Sequence, residues 1–302
     1  MLYQDEFQAE IVAFLEGYSI EMSPHDAGKI EAIAEALRPG TAVYVAHPPG
    51  ATVETVVELA GNLQQRGFVA VPHLIARRFE SLSQLDATLS TLRESGVRRA
   101  LVVAGDQACA NAAFSSTLEL LQTGLLSQYE FRRVGVAGHP EGSKAIGGAR
   151  AEQALRDKAE FAKTADFEMH IVTQFGFNPA VLSTWESATA AAGVDLLVHV
   201  GMAGPASLRQ LAKFAMLCGV AASARMLMTR TGATASLLKT QAPDALIAHI
   251  VRHRSTCPSS RLSRAHFFAF GGVVKTARWA NAVRSGHFEL NDQATGFDVD
   301  KH

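Results

Sequence analysis

The stretch TAVYVAHPPGATVETVVELAGNLQQRGFVAVPHL, residues 41–74, contains the unit that decides the fold. A short run rich in β-branched residues, TAVYVAH, precedes a segment whose apolar residues follow helical spacing, and a second short run, FVAVPHL, comes after it. Gly67 lies just past the helical segment, where a glycine commonly ends a helix. The stretch therefore predicts a strand, a helix and a second strand. Strands this apolar on both faces are typical of a parallel sheet covered by helices.

The same alternation continues along the chain and predicts eight strands, each followed by helix. The further strand-like runs are YSIEMS, RRALVVAGD, RRVGVAGHP, MHIVTQF, DLLVHVG and RAHFFAFGG. Eight such units are the number that closes a (β/α)8 barrel. We therefore predict an α/β fold, a TIM barrel, as a single domain over residues 1–302. It has an extra N-terminal helix, and the polar tail, residues 288–302, is expected to be flexible.

Composition points to a globular protein with a small-molecule ligand. Of the 302 residues, 48% are hydrophobic and 19% are charged, which excludes a disordered chain. The 28 basic and 29 acidic residues form no block of one sign, so no nucleic-acid partner is predicted. Cys109, Cys218 and Cys257 are scattered and lack metal spacing, which indicates free thiols. The opening segment resembles an amphipathic helix and not a signal peptide, and no apolar run reaches the roughly 18 residues of a membrane span. We expect a cytoplasmic protein.

Polar side chains gather at the C-terminal ends of the predicted strands, where barrel enzymes build their active sites. The ends of the first six strands carry, in order, Glu21, His47, His73, Asp106, His139 with Glu141, and Gln174. Strands commonly end where the chain reaches solvent, so a polar residue at any one strand end needs no functional explanation. The repetition over successive strands favours an active-site mouth that faces a polar, heterocyclic substrate.

Glu21 stands out because it interrupts an apolar strand. A carboxylate is rarely buried unless it is paired or used, since removing it from water costs several kcal/mol. Glu21 therefore needs either a partner or a function.

Other motifs give weaker evidence of a functional site. His249 and His253 lie one helical turn apart in HIVRH, but the motif lacks a glutamate and a third ligand, so we predict no metal site. The segment GHPEGSKA is too short for a phosphate-binding P-loop, and no serine or cysteine lies in a nucleophile elbow.

Taken in order, the strand-end motifs resemble the methylenetetrahydrofolate reductase family. SIEMSPH with Glu21 is similar to the family's SFEFFPP, PHL with His73 to its PHL, and AGD with Gly105 and Asp106 to its RGD. HPE with His139 and Glu141 is similar to YPE, and VTQFGFN with Gln174 and Phe177 to ITQFFFD. SLRQLAKF, ending in Phe214, and HFFAFGG also resemble family segments. The resemblance covers nearly the whole chain.

The resemblance implies the reduction of 5,10-methylenetetrahydrofolate to 5-methyltetrahydrofolate in one-carbon metabolism. Glu21 would protonate N10 of the substrate, and its pKa would be raised by apolar surroundings that include Ile20 and Met22. Asp106 would accept the pterin N–H donors. Three further residues would bind substrate: Gln174, which would also take part in catalysis, Phe177 and Phe214.

The resemblance further implies FAD as cofactor and NAD(P)H as hydride source. The flavin would contact His73, Gly105, Asp106, His139, Glu141 and Lys163. The chain departs from the family at flavin positions, with Ala104 and Ala162 in place of arginines, His139 in place of a tyrosine and Ser143 near a histidine position. Losing an arginine removes a donor fork suited to phosphate, so a flavin-independent reductase is the alternative cofactor assignment.

Two alternative functions stay open at this point. The protein could oxidise 5-methyltetrahydrofolate in one-carbon catabolism, since direction depends on the electron partner. It could also be an inactive homologue that only binds folate or flavin, although a protein that only binds has no need of a buried proton donor. The expected partners are folate and a nicotinamide nucleotide, and the sequence is compatible with a homo-oligomer.

Overall fold

The structure is a computed structural model, and it describes residues 2–106, 109–143, 146–218, 220 and 240–299. Its centre is a closed barrel in which β1 pairs with both β2 and β8, and every pairing is parallel. The predicted (β/α)8 barrel is confirmed. The strands are β1 (Ser19–Met22), β2 (Ala42–Val45), β3 (Val69–Ile75), β4 (Arg99–Val103), β5 (Arg133–Gly138), β6 (Glu168–Thr173), β7 (Leu197–Ala203) and β8 (Leu262–Phe268).

Helices cover the outside of the barrel. They are α1 (Leu2–Leu15), α2 (Ile30–Ala36), α3 (Val53–Gln65), α4 (Leu82–Glu94), α5 (Thr117–Leu121), α6 (Leu125–Gln128), α7 (Gly148–Ala162), α8 (Pro179–Ala191), α9 (Leu208–Leu217), α10 (Asp244–Thr256) and α11 (Val273–Arg284), with short 3-10 helices at Pro24–Lys29 and Ala76–Arg78. In α3 the Thr52 hydroxyl accepts the Thr55 N–H, and Gly67 follows the helix with φ +83°. The Thr52 contact caps the start of the helix, and Gly67 ends it, as the sequence predicted.

The predicted N-terminal helix is present as α1. It packs against α10 and α11, the helices on either side of β8. Phe7, Ile11, Phe14 and Leu15 form its buried side. Within the described ranges, none of the helices combines the length and apolar character that crossing a membrane requires.

The C-terminal segment corrects one expectation. Residues 288–299, predicted as part of a flexible tail, form an antiparallel hairpin of β9 (Phe288–Leu290) and β10 (Phe297–Val299). Phe288 and Phe297 are buried with their ring centroids 4.6 Å apart, and Phe297 also stacks on Trp279. The polar composition of the segment hid these two aromatic residues, whose burial holds the hairpin on the barrel.

The interior of the barrel is unusually polar. Barrels of this kind commonly fill the interior with Val, Ile and Leu, whereas here the inward positions include buried His170, His199 and His266 together with Tyr44. The Tyr44 hydroxyl lies 3.0 Å from His170 Nε2, and the rings of His170 and His199 are 4.1 Å apart. Such a row of polar groups at the centre of the barrel indicates a functional use of the interior.

Gly201 on β7 allows the closest backbone approach inside the barrel. A Cβ there would lie 2.2 Å from the Thr173 carbonyl oxygen and 2.8 Å from that of Gln174. We expect Gly201→Ala to lower the free energy of unfolding by about 3 kcal/mol, because rigid backbone would have to move. Urea unfolding would measure this, with Gly28→Ala as the control, since nothing lies within 4 Å of a Cβ at Gly28. Equal stability of the two variants would contradict the packing argument.

Candidate active site

Glu21 lies near the end of β1 and points into the barrel. Its neighbours in the sheet register are Tyr44 and Phe268. Its carboxyl oxygen is 3.4 Å from Nε2 of His73 and 4.0 Å from Nε2 of His266, and 18% of the side chain is exposed. The carboxyl group is thus enclosed by the barrel wall and keeps limited access to solvent.

The two imidazoles beside Glu21 are neutral. Burial, together with the nearby His47, lowers the pKa of His73 to about 3. Burial also holds the pKa of His266 well below its usual range. The Ser19 hydroxyl fixes the ring of His266 at 2.9 Å from Nδ1. Neither Nε2 atom has a hydrogen-bond partner among the described residues, so both are available to the carboxyl group or to a bound molecule.

Glu21 is consequently an acid with no counter-charge among the described residues. Burial raises its pKa to about 8, because neutral neighbours cannot repay the cost of removing a carboxylate from water. The sequence attributed this effect to Ile20 and Met22, and that part of the prediction was wrong. Both are buried in the outer core between barrel and helices, since alternate residues of a strand point to opposite faces.

The strand-end loops surround a cavity of about 660 Å³ at the mouth of the barrel. Asp106, Gly105 and His139 line it, as the sequence predicted. Gly105 has φ +87°, a conformation that side-chain-bearing residues rarely adopt. His139 faces both Asp106 and Lys158, and burial followed by the charge of Lys158 lowers its pKa.

The structure corrects the choice of lysine. Lys163, predicted to contact flavin, lies at the end of α7 farthest from the mouth, is exposed and pairs with Glu160. Lys158 on the same helix is buried with 7% exposure and lines the cavity. Burial lowers the pKa of Lys158 to about 8, and no acidic group is bonded to it among the described residues. A buried ammonium group with no anionic partner indicates a site for a phosphate or another anion.

Three arginines that the sequence analysis missed also line the cavity. Arg77 Nη1 donates to the Gly105 carbonyl at 2.7 Å, and Arg78 Nη1 donates to the Pro48 carbonyl at 3.1 Å. Arg150 at the start of α7 completes the set. These guanidinium groups place positive charge near Ala104, where the family motif has its arginine. The motif ARRF after β3 was the sequence signal for two of these arginines. Its position in the sequence did not show that they lie close to the end of β4.

His73, Gln174 and Glu141 have other contacts than the sequence predicted. The described lining of the mouth cavity does not include His73, which lies beside Glu21 instead. The Gln174 amide lies 3.2 Å from both the Glu141 N–H and the Gly142 carbonyl, and its oxygen faces the N–H in the orientation that satisfies both. Gln174 therefore holds the loop after β5 in place. Its predicted role in catalysis and substrate binding stays a prediction.

An aromatic cluster stands beside the mouth. The rings of Phe214 and Phe270 stack at 4.1 Å with an interplanar angle of 11°, and Phe177 packs edge-on against Phe175. Phe214 and Phe177 were both predicted to bind substrate. Each is partly buried in the cluster, so each combines core packing with a position near the mouth.

The two histidines of the HIVRH motif on α10 both contact residues of α8. His249 lies 3.1 Å from the Ser183 hydroxyl, and His253 lies 2.8 Å from the Glu186 carboxylate. No cluster of three or more metal-ligating side chains occurs in the part of the chain that the structure describes.

Comparison with known proteins agrees with this geometry. The sequence profile of the family described as methylenetetrahydrofolate reductase matches residues 30–242. A solved structure described as an uncharacterized protein from Clostridium thermocellum that binds two copies of 5-methyl-5,6,7,8-tetrahydrofolic acid has a similar fold, with a TM-score of 0.54. The two chains are 12% identical over 90% of this chain and 98% of that one. The family match begins after β1 and therefore does not include Glu21. The role assigned to Glu21 rests on the structure.

Proposed function

Since the chain belongs to the methylenetetrahydrofolate reductase family through its match over residues 30–242, we propose that it reduces 5,10-methylenetetrahydrofolate to 5-methyltetrahydrofolate with hydride from NAD(P)H. The observation that carries this proposal is Glu21, a buried carboxyl group beside which no cation lies among the described residues. Its raised pKa, about 8, keeps it protonated at neutral pH. A protonated acid inside the barrel, with 18% of its side chain exposed, is what the first step of this reaction needs.

Opening the methylene bridge requires a proton on N10 of the folate, which releases the reactive iminium at N5. Glu21 donates this proton, and the neutral rings of His73 and His266 keep its carboxyl group oriented without supplying a competing charge. Tyr44 packs against His266 with ring centroids 4.5 Å apart, which closes the floor beneath the acid. The same enclosure excludes the bulk water that would lower the pKa of Glu21.

Asp106 is proposed to bind the pterin. An ionised carboxylate only accepts hydrogen bonds, so it can take the amino and ring N–H donors together. Asp106 lies at the mouth cavity and Glu21 inside the barrel, and we propose that one folate molecule spans both.

We propose that the mouth cavity holds a flavin dinucleotide. Its positive lining comes from Arg77, Arg78, Arg150 and Lys158, and these groups would hold the phosphates. When bound, the flavin would relay hydride from the nicotinamide to the one-carbon unit. The arginines of the loop after β3 offset in charge the loss at Ala104, whereas Ala162 ends α7 on the side away from the mouth. The charge near Ala104 favours a flavin-dependent reductase over the flavin-independent alternative.

The Clostridium thermocellum protein of similar fold binds 5-methyltetrahydrofolic acid, which is the product of the proposed reaction. This supports a folate site on the barrel. The experiment that tests the proposal is an anaerobic assay with 5,10-methylenetetrahydrofolate and NADH or NADPH, with 5-methyltetrahydrofolate detected by chromatography. A flavin spectrum of the purified protein tests the cofactor separately. Absence of product with either nucleotide, in protein that binds folate, would contradict the proposed reaction.

The pH dependence of turnover follows from Glu21. Because burial raises its pKa to about 8, the active protonated form is lost as pH rises through that value. We expect kcat to be nearly constant from pH 6 to 7 and to fall about tenfold per pH unit above pH 8. Stopped-flow measurement of single turnovers would follow this fall in rate at high pH. A rate that is unchanged from pH 6 to 10 would show that another group donates the proton.

A further inference from the structure

The face of the barrel opposite the mouth contains a second, strongly basic cavity. Since all eight strands are parallel, their N-terminal ends meet at this face. Those of β3 to β6 surround a cavity of about 390 Å³, a volume in the range of small-ligand sites. Its lining residues are Gln64, Val69, Gly96, Arg98, Arg99, Arg132, Arg133 and Glu168.

The charges around this cavity do not balance. Its described lining has four guanidinium groups and one carboxylate, that of Glu168, which gives a net charge of 4 − 1 = +3. Glu168 is engaged by Arg133, whose Nε donates to it at 2.9 Å. Arg98 donates to the carbonyls of Arg93 and Val97 at 2.7 and 2.9 Å. Backbone carbonyls satisfy donors but do not neutralise a charge.

Arg99 has the least favourable surroundings. It starts β4, is half-buried, and has no hydrogen-bond acceptor among the described residues. Burial and the positive charge of Arg133 lower its pKa, and Arg264 on β8 acts in the same direction, against Tyr44 and Glu168. Guanidinium groups held together without an anion repel one another, and that repulsion costs stability unless a ligand of opposite charge is bound.

We propose that this cavity is a binding site for a multiply charged oxyanion, such as the phosphate chain of a nucleotide or a polycarboxylate. The planar forks of Arg99 and Arg132 suit two-point binding of carboxylate or phosphate oxygens. The site is separate from the proposed catalytic one. The seven residues of β3 alone span about 23 Å between the two faces, so an anion bound here does not touch a folate at the mouth.

Isothermal titration of the whole chain with inorganic pyrophosphate and, separately, with citrate tests this site, with sodium chloride added to keep the ionic strength equal. We expect saturable binding of at least one probe to the wild type. Arg99→Met is expected to weaken it by ~10-fold or more, because a charge-assisted pair of hydrogen bonds is lost. Tighter binding of pyrophosphate would identify a phosphate site, and tighter binding of citrate a carboxylate site.

Two control variants separate this cavity from other positive surfaces. Arg278→Met removes an exposed arginine on α11 and should leave binding unchanged. Lys158→Met alters the mouth cavity and should leave the binding that depends on Arg99 unchanged. Arg132→Met, at an exposed lining position, is a second test of the site should Arg99→Met fail to fold. The proposal is overturned if the wild type shows no saturable binding, if the arginine variants at the cavity bind as the wild type does, or if binding is lost in Lys158→Met.

Discussion

Replacing Glu21 with glutamine is expected to lower turnover roughly 100-fold or more while leaving folate affinity nearly unchanged, the usual effect of removing a general acid. Glutamine has the shape of the protonated acid but cannot give up a proton to N10. The neutral environment formed by His73 and His266 accepts an amide as readily as a carboxylic acid. Single-turnover rates and equilibrium folate binding, measured on the same preparations, would separate the two effects.

Stability measurements on the same variant provide the control. In the folded protein the pKa of Glu21 is about 8, above its ordinary value of 4.5, so folding favours the protonated form. The folded state therefore holds more protons, and the free energy of unfolding falls as pH rises between these two values. Glu21→Gln should be as stable as the wild type below about pH 4 and more stable above pH 8. Unchanged turnover in a folded variant would contradict the assigned role.

Replacing Lys158 with methionine is expected to weaken flavin binding by about 10- to 100-fold, because a buried cation that bonds an anion contributes up to about 3 kcal/mol. Methionine keeps the length of the side chain and its contacts with the cavity wall. Flavin fluorescence titration of the protein freed of cofactor would measure the change. A wild type that binds no flavin would contradict the cofactor assignment itself.

The matched control is Lys163→Met, at the lysine that the sequence favoured. Lys163 is exposed, so its replacement should leave flavin affinity unchanged. The pH dependence of stability gives a second readout. The pKa of Lys158 is about 8 in the folded protein, below its ordinary value of 10.5. The unfolded chain therefore holds more protons between these two values, and wild-type stability rises over that interval. Lys158→Met should lack this rise in stability. If flavin binding were lost in Lys163→Met and kept in Lys158→Met, the flavin contact would have to be assigned to Lys163.

Sequence patterns were sufficient to predict the fold where a local signal repeats along the chain. Each strand is a short apolar run followed by a helix of ordinary period, and eight repeats of this unit leave few ways to close a parallel sheet. The same rule places Glu21, Asp106 and His139 at the carboxyl ends of strands. The tail was harder to predict, because two phenylalanines in a polar segment give no periodic signal.

The amino-acid sequence by itself determined the barrel and the strand ends that form its mouth, because both depend on order along one chain. Only the tertiary structure decided which side chains lie next to one another. It placed His73 and His266 against Glu21, put Ile20 and Met22 on the outer side of the wall, and selected Lys158 over Lys163. The physical reason is that a residue's periodicity fixes its face on its own element, whereas burial, charge balance and pKa depend on the neighbours that barrel closure brings from distant strands.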